Sequence, residues 1–348
     1  MLRILALLLM FAVIVSPGFT ASARRGLLLV ANKGDQTLSL IDPEDHRQIA
    51  TIGEGGVTGH EVAASPDGRW AFVPIYGNSG VGKPGTDGST IAVIDLDQRR
   101  VVHTIDFGHG VRPHCAVFGP EDGLLYITTE LDQSVTVIDP KTFKIVGRIP
   151  TGQTESHMLA ISPDGRTGYT ANVGPGTVSV LDLGARKTLA VIPVASHIQR
   201  ISVSPDGHQV FTSDTEKPRL AILSAESRKV EHWIELPGTG YGSAPSSDGK
   251  WLLIAIPNAN QVAAIDLHTQ KVARVVEVPP SPQEVLIRPD GKVAYVSCSD
   301  RRQVAAIDLA GWSVQLIDAG AQADGLAWAS SSSAEQGSRR LEQGTRGF

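Results

Sequence analysis

A closed ring of seven four-stranded β blades, an all-β propeller, is the fold this sequence predicts, and three observations predict it. A turn ending in Asp-Gly recurs at a fixed spacing along 348 residues. Each repeat holds four short strand-like runs and no helical periodicity, which is the content of a propeller blade. The two ends of the repeat region hold complementary parts of one blade.

The turn is read first because it sets the period. It recurs as Ser-Pro-Asp67-Gly68, Pro-Glu-Asp122-Gly123, Ser-Pro-Asp164-Gly165, Ser-Pro-Asp206-Gly207, Ser-Ser-Asp248-Gly249 and Arg-Pro-Asp290-Gly291, with aspartates 55, 42, 42, 42 and 42 residues apart. Glycine after aspartate supplies the positive φ of a tight hairpin, so each turn joins the first and second strands of a blade. A second landmark, an apolar residue followed by Asp, falls at Ile41-Asp42, Ile94-Asp95, Ile138-Asp139, Leu181-Asp182, Ile265-Asp266 and Ile307-Asp308, with Leu223-Ser224 in the remaining slot. These aspartates are placed to accept backbone N–H bonds in the next turn, which accounts for them without chemistry.

Within the third repeat the predicted strands are His157–Ser162, Thr167–Ala171, Thr177–Leu181 and Thr188–Pro193. Third strands alternate, as in Ser134-Val135-Thr136-Val137-Ile138, the period of a strand with two distinct faces. First strands begin near His60, His114, His157, Gln199, Tyr241, Gln283 and Asp324. The last of these has no following partners, whereas Leu27–Ala31, Thr37–Ile41 and Gln48–Ile52 lack a first strand. Joining one C-terminal strand to three N-terminal ones closes the circle at seven blades and removes an open edge.

The succession Ser-Pro-Asp-Gly, then Tyr169-Thr170-Ala171-Asn172, then Val-Ser-Val-Leu-Asp, resembles the YVTN family of β-propeller repeat proteins over nearly all of the chain. The resemblance implies a bacterial exported propeller, more distantly like lactonases and the haem d1 domain of nitrite reductases. It specifies fold far better than function. Pro113-His114 alone matches the Pro-His that members of that family carry before a first strand.

Residues 1–23 are expected to be a cleaved signal peptide: Arg3, an apolar run Ile4–Val15, and the small-residue site Ala21-Ser22-Ala23. The propeller is assigned to 24–329 and a polar, disordered tail to 330–348. The expected destination is periplasmic or secreted, with no membrane span in the mature chain, which carries 30 basic against 36 acidic residues. No Lys/Arg cluster offers a nucleic-acid footprint. Cys115 and Cys298 fall in blades two and six and are expected to be free and buried, and without a CxxCH there is no covalent c-type haem. A closed ring with no spare edge makes a monomer the expectation.

Three departures from the repeat are candidates for function, all on the face where first strands begin. His60, His114 and His157 hold equivalent positions in successive blades and present a ligand set for one divalent transition metal in the central channel. Blade one carries a longer connection, Tyr76 to Ser89, with Lys83 and Asp87. Its GNSGVGK stretch is no phosphate loop, because Pro84 and a strand follow where a helix N-terminus is required; a lid over the channel is the functional reading. Glu61, Arg112, Glu155, Arg200 and Tyr241 are the polar rim residues available to orient a ligand. With no catalytic motif in the chain, the first functional expectation is a binding or scaffold module for a protein or small molecule at the rim. The alternatives are a channel-site enzyme, lactonase-like hydrolase or lyase, using a His-bound metal, and a redox accessory with non-covalent haem.

Overall fold

The computed structural model describes residues 26–330. The signal-peptide and most of the tail assignments lie outside these residues. Seven four-stranded antiparallel sheets follow one another, each built in sequence order from the channel outward. Blade 1 spans Ala63–Asp106, blade 2 Pro113–Pro150, blade 3 Ser156–Pro193, blade 4 Ser202–Glu235, blade 5 Ser243–Glu277 and blade 6 Pro282–Asp318. Blade 7 joins Ala323–Ser330 to Gly26–Asn32, Thr37–Asp42 and Arg47–Gly53, with Leu28 opposite Trp328 and Val30 opposite Leu326. Its closure is the predicted one strand from one end and three from the other. Among the described residues no helix is long and apolar enough to cross a membrane.

The turns form for the reasons the sequence supplies. Gly165 sits at φ 67°. Before it, Ser162 Oγ donates to Asp164 Oδ1 at 2.6 Å, and that same oxygen accepts the Arg166 N–H at 3.1 Å. Blades 1, 4 and 5 repeat the Ser–Asp contact through Ser65, Ser204 and Ser246. The Ile-Asp aspartates accept backbone N–H groups two or three residues on, as Asp139 does from Lys141 and Asp266 from His268 and Thr269.

Second and third strands are buried on both faces because each sheet lies between two others, so apolar side chains fill the gaps between blades. Phe72, Ile91, Val93, Leu125, Ile127 and Ile138 fill the gap between blades 1 and 2. Each such side chain contributes about 1.5–3 kcal/mol by leaving water. Fourth strands are mostly exposed and keep one buried anchor apiece, Ile105, Ile149 and Ile192 among them. A bulge interrupts the pairing of third and fourth strands just before the Ile-Asp landmark, as between Val137 and Ile138, and adds twist there. In blade 6 the fourth strand begins only at Val314 and pairs without it.

Not every first strand is long. In blades 1, 4 and 5 it shrinks to Ala63–Ala64, Ser202–Val203 and Ser243–Pro245, so His60, Arg200 and Tyr241 precede the strands in irregular backbone at the channel mouth. Cys115 and Cys298 are free and buried, and burial pushes the Cys298 thiol up to about 12.

Candidate functional site at the channel mouth

The first-strand starts face one another around the axis, and the structure divides them into two sectors of different chemistry. Blades 1 to 3 supply imidazoles. His114 and His157 have ring centroids 3.6 Å apart with their planes tilted by 34°, and His60 meets His114 edge-on at 5.2 Å. Tyr76 completes this group, 4.9 Å from His60 and 5.3 Å from His114. Burial holds the His60 imidazole down to about 4, with Asp324 opposing and Lys33 and Arg200 adding to the shift. It holds His114 and His157 well below the usual histidine range, helped by neighbouring imidazoles and Arg200. All three are therefore neutral at physiological pH. Gln199 Nε2 lies 3.4 Å from His157 Nε2, and the Nδ1 atoms of His114 and His157 are buried without a hydrogen-bond partner.

The structure brings the three histidines together as the sequence predicts. Among the described residues, however, no group of three or more His, Cys, Asp or Glu side chains is placed to hold a metal ion. The histidine rings pack against each other's faces and edges.

The opposite sector is ionic and centres on Arg200, 5 % exposed. Its guanidinium lies 2.6 Å from Glu61, 3.0 Å from Asp324 and 3.7 Å from Glu284. Its carbon sits 5.0 Å from the centre of the Tyr241 ring. Lys33 Nζ is 3.1 Å from the other oxygen of Asp324. Burial raises Glu61 well above the carboxylate range against the pull of Arg200, and Glu284 raises it further; Glu284 is also raised by burial. Their mutual contact raises Glu61 and lowers Glu284. Burial alone would raise Asp324 too, but Lys33 and Arg200 outweigh it and keep this carboxylate ionised.

Arg200 is paired in charge but not fully in hydrogen bonds. Nη2 donates to Asp324 and Nη1 meets Glu61 Oε1 as an ion pair at 2.6 Å, while Nε is buried with no hydrogen-bond partner. A buried guanidinium N–H left this way is costly unless a ligand or water accepts from it.

The long connection of blade 1 lies against residues of blades 2 and 3. The flanking strands extend to Gly77 and from Asp87, shortening the loop itself to 78–86. Arg112 clamps it: Nε donates to Asp87 at 2.6 Å, Nη2 to the Lys83 carbonyl at 2.8 Å, and Nη1 to Glu130 at 3.1 Å. Glu130 also accepts the Gly82 N–H and the Tyr76 hydroxyl. Gly82, at φ 64°, comes so close to blade 3 that a Cβ there would lie 2.5 Å from Glu155 Oε1. The loop thus reaches from blade 1 past blade 2 to the start of blade 3.

The rim residues therefore separate by task. Glu61, Arg200 and Tyr241 meet in the ionic sector. Arg112, Asp87 and the Lys83 backbone hold the loop, with the Lys83 side chain exposed. Glu155 accepts the Gly174 N–H at 2.8 Å and serves a neighbouring turn. Sequence reasoning missed Glu284, Lys33 and Glu130. Glu284 had a signal: it follows Gln283 as Glu61 follows His60 and Arg200 follows Gln199. Lys33 belongs to a different strand end and joins the site only when the ring closes.

Comparison with known proteins follows from this geometry. A family profile described as "Lactonase, 7-bladed beta-propeller" matches residues 54–231. No curated protein matches this sequence. Among solved structures, a chain of Kuenenia stuttgartiensis hydrazine synthase superposes with a TM-score of 0.71 at 18% identity, over 86% of this chain and 99% of that one. That likeness concerns the fold.

Proposed function

The chain belongs to the lactonase family of seven-bladed β-propellers, and from that premise we propose that its channel mouth binds a small carbonyl-bearing ligand, a lactone or related ester. The observation that carries this reading is the buried Arg200 guanidinium, whose Nε has no hydrogen-bond partner. A carbonyl oxygen is an acceptor that would satisfy it without disturbing the Asp324 contact. Tyr241 offers an apolar face beside that position, and the neutral imidazoles accept hydrogen bonds from ligand hydroxyls. On this reading the protein is a binding module whose partner is a small molecule in the channel. The repeats are of the YVTN type, and the leader-like residues 1–23 make it an exported protein, a point that cell fractionation tests.

Saturation-transfer NMR with γ-butyrolactone tests the site. Binding to the full chain and its loss in Arg200→Lys, with the fold intact, is the expected result. Binding that survives this change removes Arg200 from the site.

A second reading, hydrolysis at the same place, is favoured by Glu61, whose buried carboxyl is raised well above the usual carboxylate range. Water would add to the lactone carbonyl carbon while Arg200 supports the developing oxyanion. The acyl C–O bond would then break and Glu61 would protonate the leaving alkoxide, giving a hydroxy acid. The proton lost by the water would pass to His60, whose charged form faces Asp324. This reading uses no metal, and a stoichiometric metal that departs on His114→Ala would replace it with the metal-dependent alternative. Ring opening is followed by pH-stat titration, and a wild-type rate equal to that of Glu61→Gln would leave binding alone.

A further inference from the structure

The residue that leaves each fourth strand donates its N–H to a carbonyl at or near the start of the third strand of its own blade. In blades 1 to 6 that residue cannot ionise: it is Phe107, Thr151, Val194, Leu236, Val278 or Ala319. In blade 7 the same bond, to the Gln36 carbonyl, is made by Glu54, which is 1% exposed. A carboxyl therefore stands where the other blades place an apolar side chain or a threonine. Its Oε2 accepts the Gly59 N–H at 2.9 Å, and its Oε1 has no partner. From this departure we propose that residues 54–59 are a clasp on the channel mouth, shut while the Glu54 carboxyl carries its proton and released when it loses it. The clasp acts on the mouth whatever the channel binds.

The carboxyl closes this short segment on itself, and the segment is stitched to both sectors of the mouth. Thr58 Oγ1 donates to the Lys33 carbonyl at 2.8 Å, and the Thr58 carbonyl accepts the Tyr76 N–H at 3.0 Å. Next in the chain, the His60 carbonyl accepts the Gly325 N–H of the closing strand at 2.8 Å. The fit is close, since a Cβ on Gly59 would fall 2.5 Å from Val73 and 2.6 Å from the Glu54 carboxyl. The ionisable groups on the surrounding elements are engaged elsewhere. Lys33 faces Asp324, Asp35 faces Arg302, Arg47 faces Asp45 and Glu61 faces Arg200, while Tyr76 donates to Glu130 and His60 is neutral. Burial lifts Glu54 to about 7, and the Gly59 bond acts against it. A carboxylate kept there on one N–H bond is costly, and opening the segment hydrates it. Val57 is already 47% exposed, so opening uncovers little new apolar surface there. Because the shut form holds its proton to higher pH than the open one, the open fraction rises from about pH 4.5 to about pH 7 and then levels off, with a ceiling of about 300-fold.

Amide exchange followed by NMR on the full chain, corrected for the intrinsic pH dependence of exchange, reads the clasp through the Gly59, Tyr76 and Gly325 N–H groups. Their protection is expected to fall at least about tenfold from pH 5 to pH 8 in the wild type and to stay flat in Glu54→Gln. Glu54→Leu gives blade 7 the residue that blade 4 has at Leu236; it should be flat as well, and it provides the test if the glutamine variant does not fold. A fall confined to Gly59 would mean ionisation without release, and a fall shared equally by the Val293–Cys298 strand would mean loosening of the whole ring. Either result overturns the clasp. So does wild-type protection that holds steady, or a pH response that survives in both variants.

Discussion

Lys33 and Asp324 meet at 3.1 Å although 291 positions separate them in the numbering. Lys33 follows the N-terminal strand of blade 7 and Asp324 lies in the C-terminal one, so the contact that closes the ring also supplies a charge to the channel. Asp324 is buried while Lys33 is 28% exposed. Removing the lysine leaves a buried carboxylate with Arg200 as its remaining partner. Lys33→Gln is expected to lower stability by about 1–2 kcal/mol, less than the full cost of breaking a buried pair because water reaches the lysine. Urea denaturation measures it, and an unchanged midpoint would show that Arg200 alone holds Asp324.

Arg112 predicts the behaviour of the loop it clamps. Arg112→Ala removes three contacts at once and leaves Glu130 with only the Tyr76 hydroxyl and the Gly82 N–H. Deuterium uptake across residues 78–86 should rise severalfold, with Cys298 and its strand unaffected. Uptake equal to wild type would mean that the loop is held from blade 3 rather than by the clamp.

Glu54 makes stability depend on pH. It is 1% exposed, one carboxyl oxygen accepts the Gly59 N–H at 2.9 Å, and the other has no partner. Burial raises it to about 7, the Gly59 bond acting the opposite way. Because the folded value lies above the unfolded one, its contribution is full below about 4.5 and is lost as pH rises through about 7. Glu54→Gln keeps an acceptor for Gly59 and cannot ionise. The variant should gain on wild type from pH 5 upward and hold a constant advantage above pH 8, read from thermal midpoints. A difference independent of pH would assign the effect to packing.

Two hairpin glycines should separate backbone strain from crowding. Gly249 sits at φ 70° with open space where a Cβ would go, so Gly249→Ala is expected to cost about 1 kcal/mol from φ alone. At Gly68, φ 69°, a Cβ would fall 1.7 Å from the Ser330 carbonyl oxygen, in the strand that closes the ring. Gly68→Ala should therefore be clearly the more destabilising. Equal losses would mean that the end of the closing strand yields freely.

The fixed spacing of Asp67, Asp122, Asp164, Asp206, Asp248 and Asp290 was enough to read the blades, their number and the place of closure. Each of these features rests on local chemistry: a glycine that takes positive φ, a serine within reach of an aspartate, a two-residue alternation. The same register placed His60, His114 and His157 side by side, because equivalent positions in neighbouring blades must face the same channel. What could not be read is how those positions pair across it. Arg200 in blade 4 reaches Glu61 in blade 1 and Asp324 in blade 7, and no sequence spacing encodes a distance across a ring. Nor does spacing reveal that Arg112 would hold a loop, or that Glu61 and Glu284 would meet at one guanidinium. Those outcomes depend on burial and on the summed charge of groups from several blades, and only the closed ring brings these together.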